Sequence, residues 1–332
     1  IKDGKKRPVL VWLHGGGFFS GSSQEHPSYD GEALSRLGDV VVVSINHRLN
    51  IFGFLELSDF DSSYAGSGNA GMLDIVASLQ WIKDNVTQFG GDKENVTVFG
   101  QSGGGTKVIT LMAMPAAKGL FHKAISQSNS IVQVATHAYA THLAGHVLDH
   151  LQISHNNIAA LNDIPVPQLV AAYKAAEKKM GGAVPPDVGR SGFQPVVDGA
   201  VLPFHPFDPG APAISAGVPF MVGSNRNEAS ASINNAVMEN ITEDRLQAIL
   251  TEKFPAKGKH LYEVMRKVHP QVKPVEILSF VSAQNPMAYL MASRKAAQQA
   301  APAYLYMFCY QTPVLDARPR AFHGDVFKTT RR

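Results

Sequence analysis

Val96-Thr97-Val98-Phe99-Gly100-Gln101-Ser102-Gly103-Gly104 is the stretch on which the reading of the fold turns. Its four leading apolar or β-branched residues make a short buried strand, and Thr106 to Met114 downstream has the composition of a helix. Between them, Gly100 to Gly104 fits Gly-x-Ser-x-Gly, a tight strand-to-helix turn whose flanking glycines remove side chains that would collide. A serine hydroxyl is a weak nucleophile at neutral pH. On such a turn it projects to where a carbonyl can reach it, and it then needs a base to take its proton. Ser102 is the candidate nucleophile. The five-residue pattern alone also occurs as an ordinary Gly-rich turn, so its weight comes from the strand before it and the helix after it.

Working outward, short β-branched runs at Val9 to Leu13, Val40 to Asn46, Lys123 to Gln127, Phe220 to Gly223 and Ala303 to Tyr310 alternate with segments of helical period. That alternation predicts an α/β fold, a mostly parallel central sheet with helices on both faces. Leu73, Val76, Leu79 and Ile82 recur at helical spacing after Asn69-Ala70-Gly71, and Trp81 on the same helix reads as packing. From about 135 to 212 the pattern loosens into helices and loops such as Gly181-Gly182-Ala183-Val184-Pro185-Pro186, which reads as an insertion over the site. A second helical tract runs from Glu243 to Ala301. No repeat or Gly/Ser linker divides the chain, and residues 1–332 read as one α/β domain.

A nucleophile of this kind also needs donors for the negative oxygen that forms when it attacks. His14-Gly15-Gly16-Gly17 follows directly on the first strand, as a backbone N–H loop for that oxygen should. A phosphate-cradling loop is the competing reading, but no Gly-Lys-Ser/Thr follows. An acid and a base are expected downstream, in that order, at the ends of later strands. Glu228 lies just beyond the strand Phe220 to Gly223 and is the choice for the acid, with Asp198 and Asp208 as rivals less directly placed. His323 follows the strand Ala303 to Tyr310 and is the choice for the base; His14, His47 and His122 break the expected order.

Composition excludes other classes. With 332 residues, 45% hydrophobic and 17% charged, the chain can bury a large core. The balance of 30 basic against 27 acidic residues comes without a concentrated basic stripe, which disfavours nucleic acid as a partner. No apolar run is long enough for a membrane span. Cys309 is the only cysteine, so no disulfide closes within the chain, and its place in an apolar run predicts a buried thiol. The chemistry requires no metal or cofactor.

At this point the residues resemble the type-B carboxylesterase/lipase family of the α/β-hydrolase superfamily, which also holds cholinesterases, para-nitrobenzyl esterases and the non-enzymatic neuroligins. The resemblance rests on Val11 to Phe18, Asn46 to Asn50 with Phe52-Gly53-Phe54, Gly68 to Asp74, Trp81-Ile82, Phe89 to Asp92 and the Ser102 turn. It is dense over the first 130 residues and thins to islands around Asn225 to Glu228 and Ala321 to His323. It implies an α/β-hydrolase fold, a glutamate acid and oxyanion donors at the N–H groups of Gly16, Gly17 and Gly103. It further implies hydrolysis of small to medium apolar carboxylic esters, with water, through an acyl-enzyme. Arg48, Asp74 and Asp92 match positions that look structural, and Phe18, Phe19 and Phe52 suggest an apolar approach.

Three departures stand out. Gln101 occupies a position where many relatives carry glutamate, and Ser128-Asn129 replaces a usual Ser-Gly. The chain also starts at Ile1 and stops soon after His323, which reads as an internal fragment of a longer member, truncated at both ends. The alternatives are a non-catalytic adhesion or binding homologue on the same fold, or a fragment too incomplete to work.

Overall fold

The computed structural model describes residues 3–181, 188–281 and 284–324; the run 182–186 and the terminal stretch 325–332 singled out in the sequence lie outside them. Six strands form the main sheet: β1 (Arg7–Leu13), β2 (Val41–Ser44), β3 (Gly91–Gln101), β4 (Lys123–Gln127), β7 (Phe220–Asn225) and β8 (Ala303–Phe308). Two short strands, β5 (Ala135–Thr136) and β6 (Val196–Val197), pair separately. All pairings are parallel, and the main order is β2-β1-β3-β4-β7-β8. The chain steps from β1 outward to β2, then returns to lay β3 on the other side of β1. Such a reversal opens a crevice at the carboxyl ends of the two strands, where ligands settle in open α/β sheets. Leu13 pairs with Gly100, and Gln101 with Gln127, so the segments leaving β1 and β3 emerge side by side at one edge.

The helices are α1 (Glu32–Gly38), α2 (Ile51–Phe54), α3 (Ala70–Asn85), α4 (Gly103–Ala113), α5 (His137–Leu151), α6 (Val166–Lys179), α7 (Glu243–Lys253), α8 (Gly258–Val268), α9 (Pro274–Phe280) and α10 (Gln284–Ala296). Every residue of α4 is buried, its polar Thr106, Lys107 and Thr110 included, as befits a helix packed at the centre of the molecule. Residues of the sheet, α3, α4, α5 and α6 share one hydrophobic cluster, while Leu246, Leu250 and Ile277 make a smaller one among α7 to α9.

The parallel strands and the helix α3 stand where the apolar periodicity put them, with four differences of side-chain placement. The buried stripe of α3 is Met72, Ile75, Leu79 and Ile82, with Leu73 and Val76 at its margin. Trp81 lies two residues past Leu79, about 200° around the helix, so it is 52% exposed and rests on Phe89 instead of the core. Cys309 is exposed, not buried: among the described residues β8 stands at the edge of the sheet and shows Tyr304, Leu305 and Met307 to solvent. Phe18 is core, set edge-on against Phe54, and does not form part of an approach to the site.

Candidate active site

Ser102 sits between β3 and α4 with φ 56 and ψ −121, a conformation that a side-chain-bearing residue adopts only when the surroundings enforce it. The enforcement is visible. Its N–H donates to Gln127 O at 2.8 Å, and its carbonyl accepts from Thr106 N at 3.1 Å, opening α4. A Cβ at Gly104 would collide with Leu13 O, and one at Gly103 with the backbone of Gly17. The turn therefore presses against the end of β1, and only glycine permits the approach.

The segment after β1 forms the facing wall. Gly16 and Gly17 have φ of 79 and 63, which turns their amides away from any helical or sheet pattern. Among the described residues, neither N–H donates to a backbone carbonyl. Gly103 opens α4, so its N–H has no carbonyl one turn back. Three donors are thus available near Ser102, in an arrangement able to stabilise a developing oxyanion. Below this loop His14 is buried, its Nδ1–H donating to Gly15 O at 2.9 Å while the ring stacks on His47 at 5.1 Å. Burial and then the nearby Lys107 push His14 down to about 4 and His47 to about 3, so both imidazoles are neutral.

Glu228 and His323 come together at the ends of β7 and β8. Glu228 Oε1 accepts from Asn225 N at 2.7 Å, and Oε2 accepts from His323 Nδ1–H at 2.6 Å. With the proton on Nδ1, Nε2 carries the free lone pair a general base needs. Two backbone ties and one side-chain tie hold the pair: His323 N donates to Glu228 O at 3.3 Å, Asn227 N to Ala321 O at 3.0 Å, and the side-chain Asn225 Nδ2 to Phe322 O at 2.5 Å. Asp198 and Asp208 are spent elsewhere: Asp198 accepts from Asn69, Ala200 and Leu202, and Asp208 from Gln133. Beside Glu228 and His323 opens a cavity of about 630 Å³ with mostly apolar walls, among them Ile233, Met238, Ile249 and Leu278.

Four residues near this constellation escaped the sequence reading. Gln101, noted only as a departure, places its side-chain Nε2 3.0 Å from His323 Nε2. Lys107 is fully buried in α4 and donates to His14 O at 2.9 Å, tying the glycine loop to the helix that follows Ser102. Its signal was a lysine in the otherwise apolar run from Thr106 to Met114. Arg320, three residues before His323, bonds Glu239 at 2.7 Å and Glu276 at 3.2 Å and so anchors the loop carrying the histidine. Arg190 lays its guanidinium over Phe19, 4.4 Å from the ring centre and against Gly17. Arg48 grips Asp74 through two nitrogens, at 2.8 and 2.9 Å, joining the segment after β2 to α3.

A parallel sheet whose strand order reverses at β1, with Ser102 on a strained strand-to-helix turn, a glycine loop and a glutamate–histidine pair at its carboxyl edge, defines the α/β-hydrolase class. The model of the carboxylesterase family matches residues 1–330, and the chain belongs to that family. It is 34% identical over 326 residues to the para-nitrobenzyl esterase of Bacillus subtilis (strain 168), covering 96% of this chain and 63% of that protein. Among solved structures, an esterase from the anaerobe Clostridium hathewayi, described as able to hydrolyse aliphatic aromatic polyesters, superposes with a TM-score of 0.80 at 36% identity. The match covers 97% of this chain and 63% of that one. A carboxylesterase of Geobacillus stearothermophilus gives a TM-score of 0.74 at 34% identity, over 94% and 64% of the two chains. The chain thus spans a little under two thirds of the length of these relatives.

Proposed function

We propose that this chain carries the active site of a serine carboxylic ester hydrolase that works through an acyl-enzyme. Ser102 Oγ attacks the ester carbonyl as His323 Nε2 takes its proton; the alcohol leaves with that proton, and water repeats the sequence to release the acid. Glu228 holds the imidazole in the required tautomer and stabilises its cation. The N–H groups of Gly16, Gly17 and Gly103 receive the oxyanion. The observation that carries this reading is the 2.6 Å bond from His323 Nδ1 to Glu228, with the histidine's other nitrogen 3.0 Å from the residue next to Ser102. Small to medium apolar esters are the proposed substrates, supported by membership of the carboxylesterase family. Residues 135–212 serve as an insertion over the site, supported by the reach of Arg190 to Gly17 and Phe19.

The test is covalent labelling by a fluorophosphonate together with turnover of a p-nitrophenyl ester. Label on Ser102, with label and turnover both lost in Ser102→Ala, is the expected result. Undiminished turnover in Ser102→Ala sinks the assignment.

A further inference from the structure

The nitrogen of His323 that must face the nucleophile is already occupied. With Nδ1–H donating to Glu228, Nε2 is a bare acceptor, and the group 3.0 Å from it is the side-chain amide of Gln101. Only the N–H of that amide can face a lone pair; its oxygen would meet it acceptor to acceptor. No hydrogen bond joins Ser102 Oγ to His323 among the described residues. Gln101 is the last residue of β3, is 5% exposed, and runs past Gly15, whose Cβ would stand 3.4 Å from Gln101 Oε1. Its amide is therefore packed between the glycine loop and the histidine, with little freedom to turn elsewhere.

Building on the proposed hydrolase reading, we propose that Gln101 is a positioning residue that clamps the resting general base, holding His323 by Nε2 until Ser102 displaces it. The exchange is conservative: the Gln101 N–H bond to Nε2 breaks and the Ser102 O–H bond to Nε2 forms. On attack the proton then passes from Oγ to Nε2. A glutamine suits this role because it offers a donor. A carboxylate at the same position offers only acceptors and cannot cap a bare lone pair. The clamp also selects the tautomer in which Glu228 receives Nδ1–H, so the base waits in its working state while its lone pair is shielded.

The experiment measures the rate constant for fluorophosphonate labelling of Ser102 in the wild type, in Gln101→Met and in Ser102→Ala. In the wild type it also measures the nitrogen–nitrogen scalar coupling across the Gln101–His323 hydrogen bond. Methionine keeps the length of glutamine and removes the donor. Releasing one hydrogen bond is expected to speed labelling by about threefold to tenfold, and the coupling is expected between Gln101 Nε2 and His323 Nε2. Labelling of Gln101→Met at or below the wild-type rate, or absence of the coupling, overturns the clamp while labelled Ser102 keeps the hydrolase reading intact. If Ser102 takes no label in the wild type, the hydrolase reading and the clamp fall together. Should Gln101→Met fold poorly, the coupling in the wild type decides alone.

Discussion

Replacing Lys107 by methionine is expected to make the protein more stable and less active at once. Lys107 is fully buried, its amine bonded to His14 O at 2.9 Å and standing 5.8 Å from the Phe18 ring centre. Burial drives it from 10.5 down to about 7, against a smaller opposing pull from Glu25. At about 1.4 kcal/mol per unit, carrying the protonated amine there costs on the order of 5 kcal/mol relative to the unfolded chain. Methionine fills nearly the same volume without that cost. It leaves the His14 carbonyl without its donor, a loss of about 1–3 kcal/mol. The balance favours Lys107→Met by about 2 kcal/mol at pH 7, or roughly 3 °C in the unfolding midpoint of a chain this long.

The sign of the pH dependence follows from the same numbers. Between about 7 and 10.5 the unfolded chain binds more protons at this lysine than the folded one. Wild-type stability therefore gains by about 4 kcal/mol across that window, and the advantage of methionine shrinks and then reverses as pH rises through it. The tie from α4 to the glycine loop is lost at every pH, and ester turnover is expected to fall about tenfold to a hundredfold through misplaced donors. Urea denaturation at pH 7 and pH 10, paired with steady-state kinetics, reads both effects. A Lys107→Met protein less stable than wild type at pH 7, or one whose stability difference is flat with pH, would refute the assignment of a buried, costly amine.

Two further outcomes are expected. Glu228→Gln can keep the bond from Asn225 N through its oxygen but then turns an N–H toward His323 Nδ1, moving the ring proton to Nε2; ester turnover falls by about three to four orders of magnitude with an unchanged circular dichroism spectrum. Arg320→Met takes its cation from Glu276 and leaves Glu239 with Lys273 and Ser232, and costs about 1–3 kcal/mol in urea denaturation at pH 7. Burial raises the Glu239 carboxyl, but bonds from Arg320, Lys273 and Ser232 outweigh it and hold it at about 2. The stabilisation is therefore full above about 4.5, is lost as pH falls toward 2, and the variant shows a shallower acid loss.

The parts of the molecule legible in the sequence were those that chain-local physics decides. β-branched runs such as Val96 to Phe99 make strands wherever they are buried, and glycines at 16, 17, 103 and 104 mark backbone that must approach backbone. Glu228 and His323 were findable because each follows a strand in a fixed order, and the structure brings them to 2.6 Å. What escaped was decided by neighbours distant in sequence. Nothing local to Cys309 says that β8 lies at the edge of the described sheet, and nothing local to Trp81 says which side of α3 faces the core. The contact of Gln101 with His323 spans 222 positions, and that of Lys107 with His14 spans 93.

Those long-range contacts divide the site into two bodies. His323 and Glu228 are bound to each other by side chain and backbone, and their loops by the bonds from Asn225 and Asn227 to Phe322 and Ala321. The proposed acid and base are therefore held as one piece, carried by β7 and braced by Arg320 against Glu239 and Glu276. Ser102, the glycine loop and Lys107 form the other piece, carried by β1, β3 and α4. Between the two stand the β3–β4–β7 ladder, which sets their distance, and the side-chain bond from Gln101 to His323, which sets their alignment. A disturbance of the ladder should therefore weaken proton transfer without unmaking either the His323–Glu228 pair or the oxyanion donors. A disturbance of Lys107 should do the converse, leaving the base intact and the oxyanion poorly held.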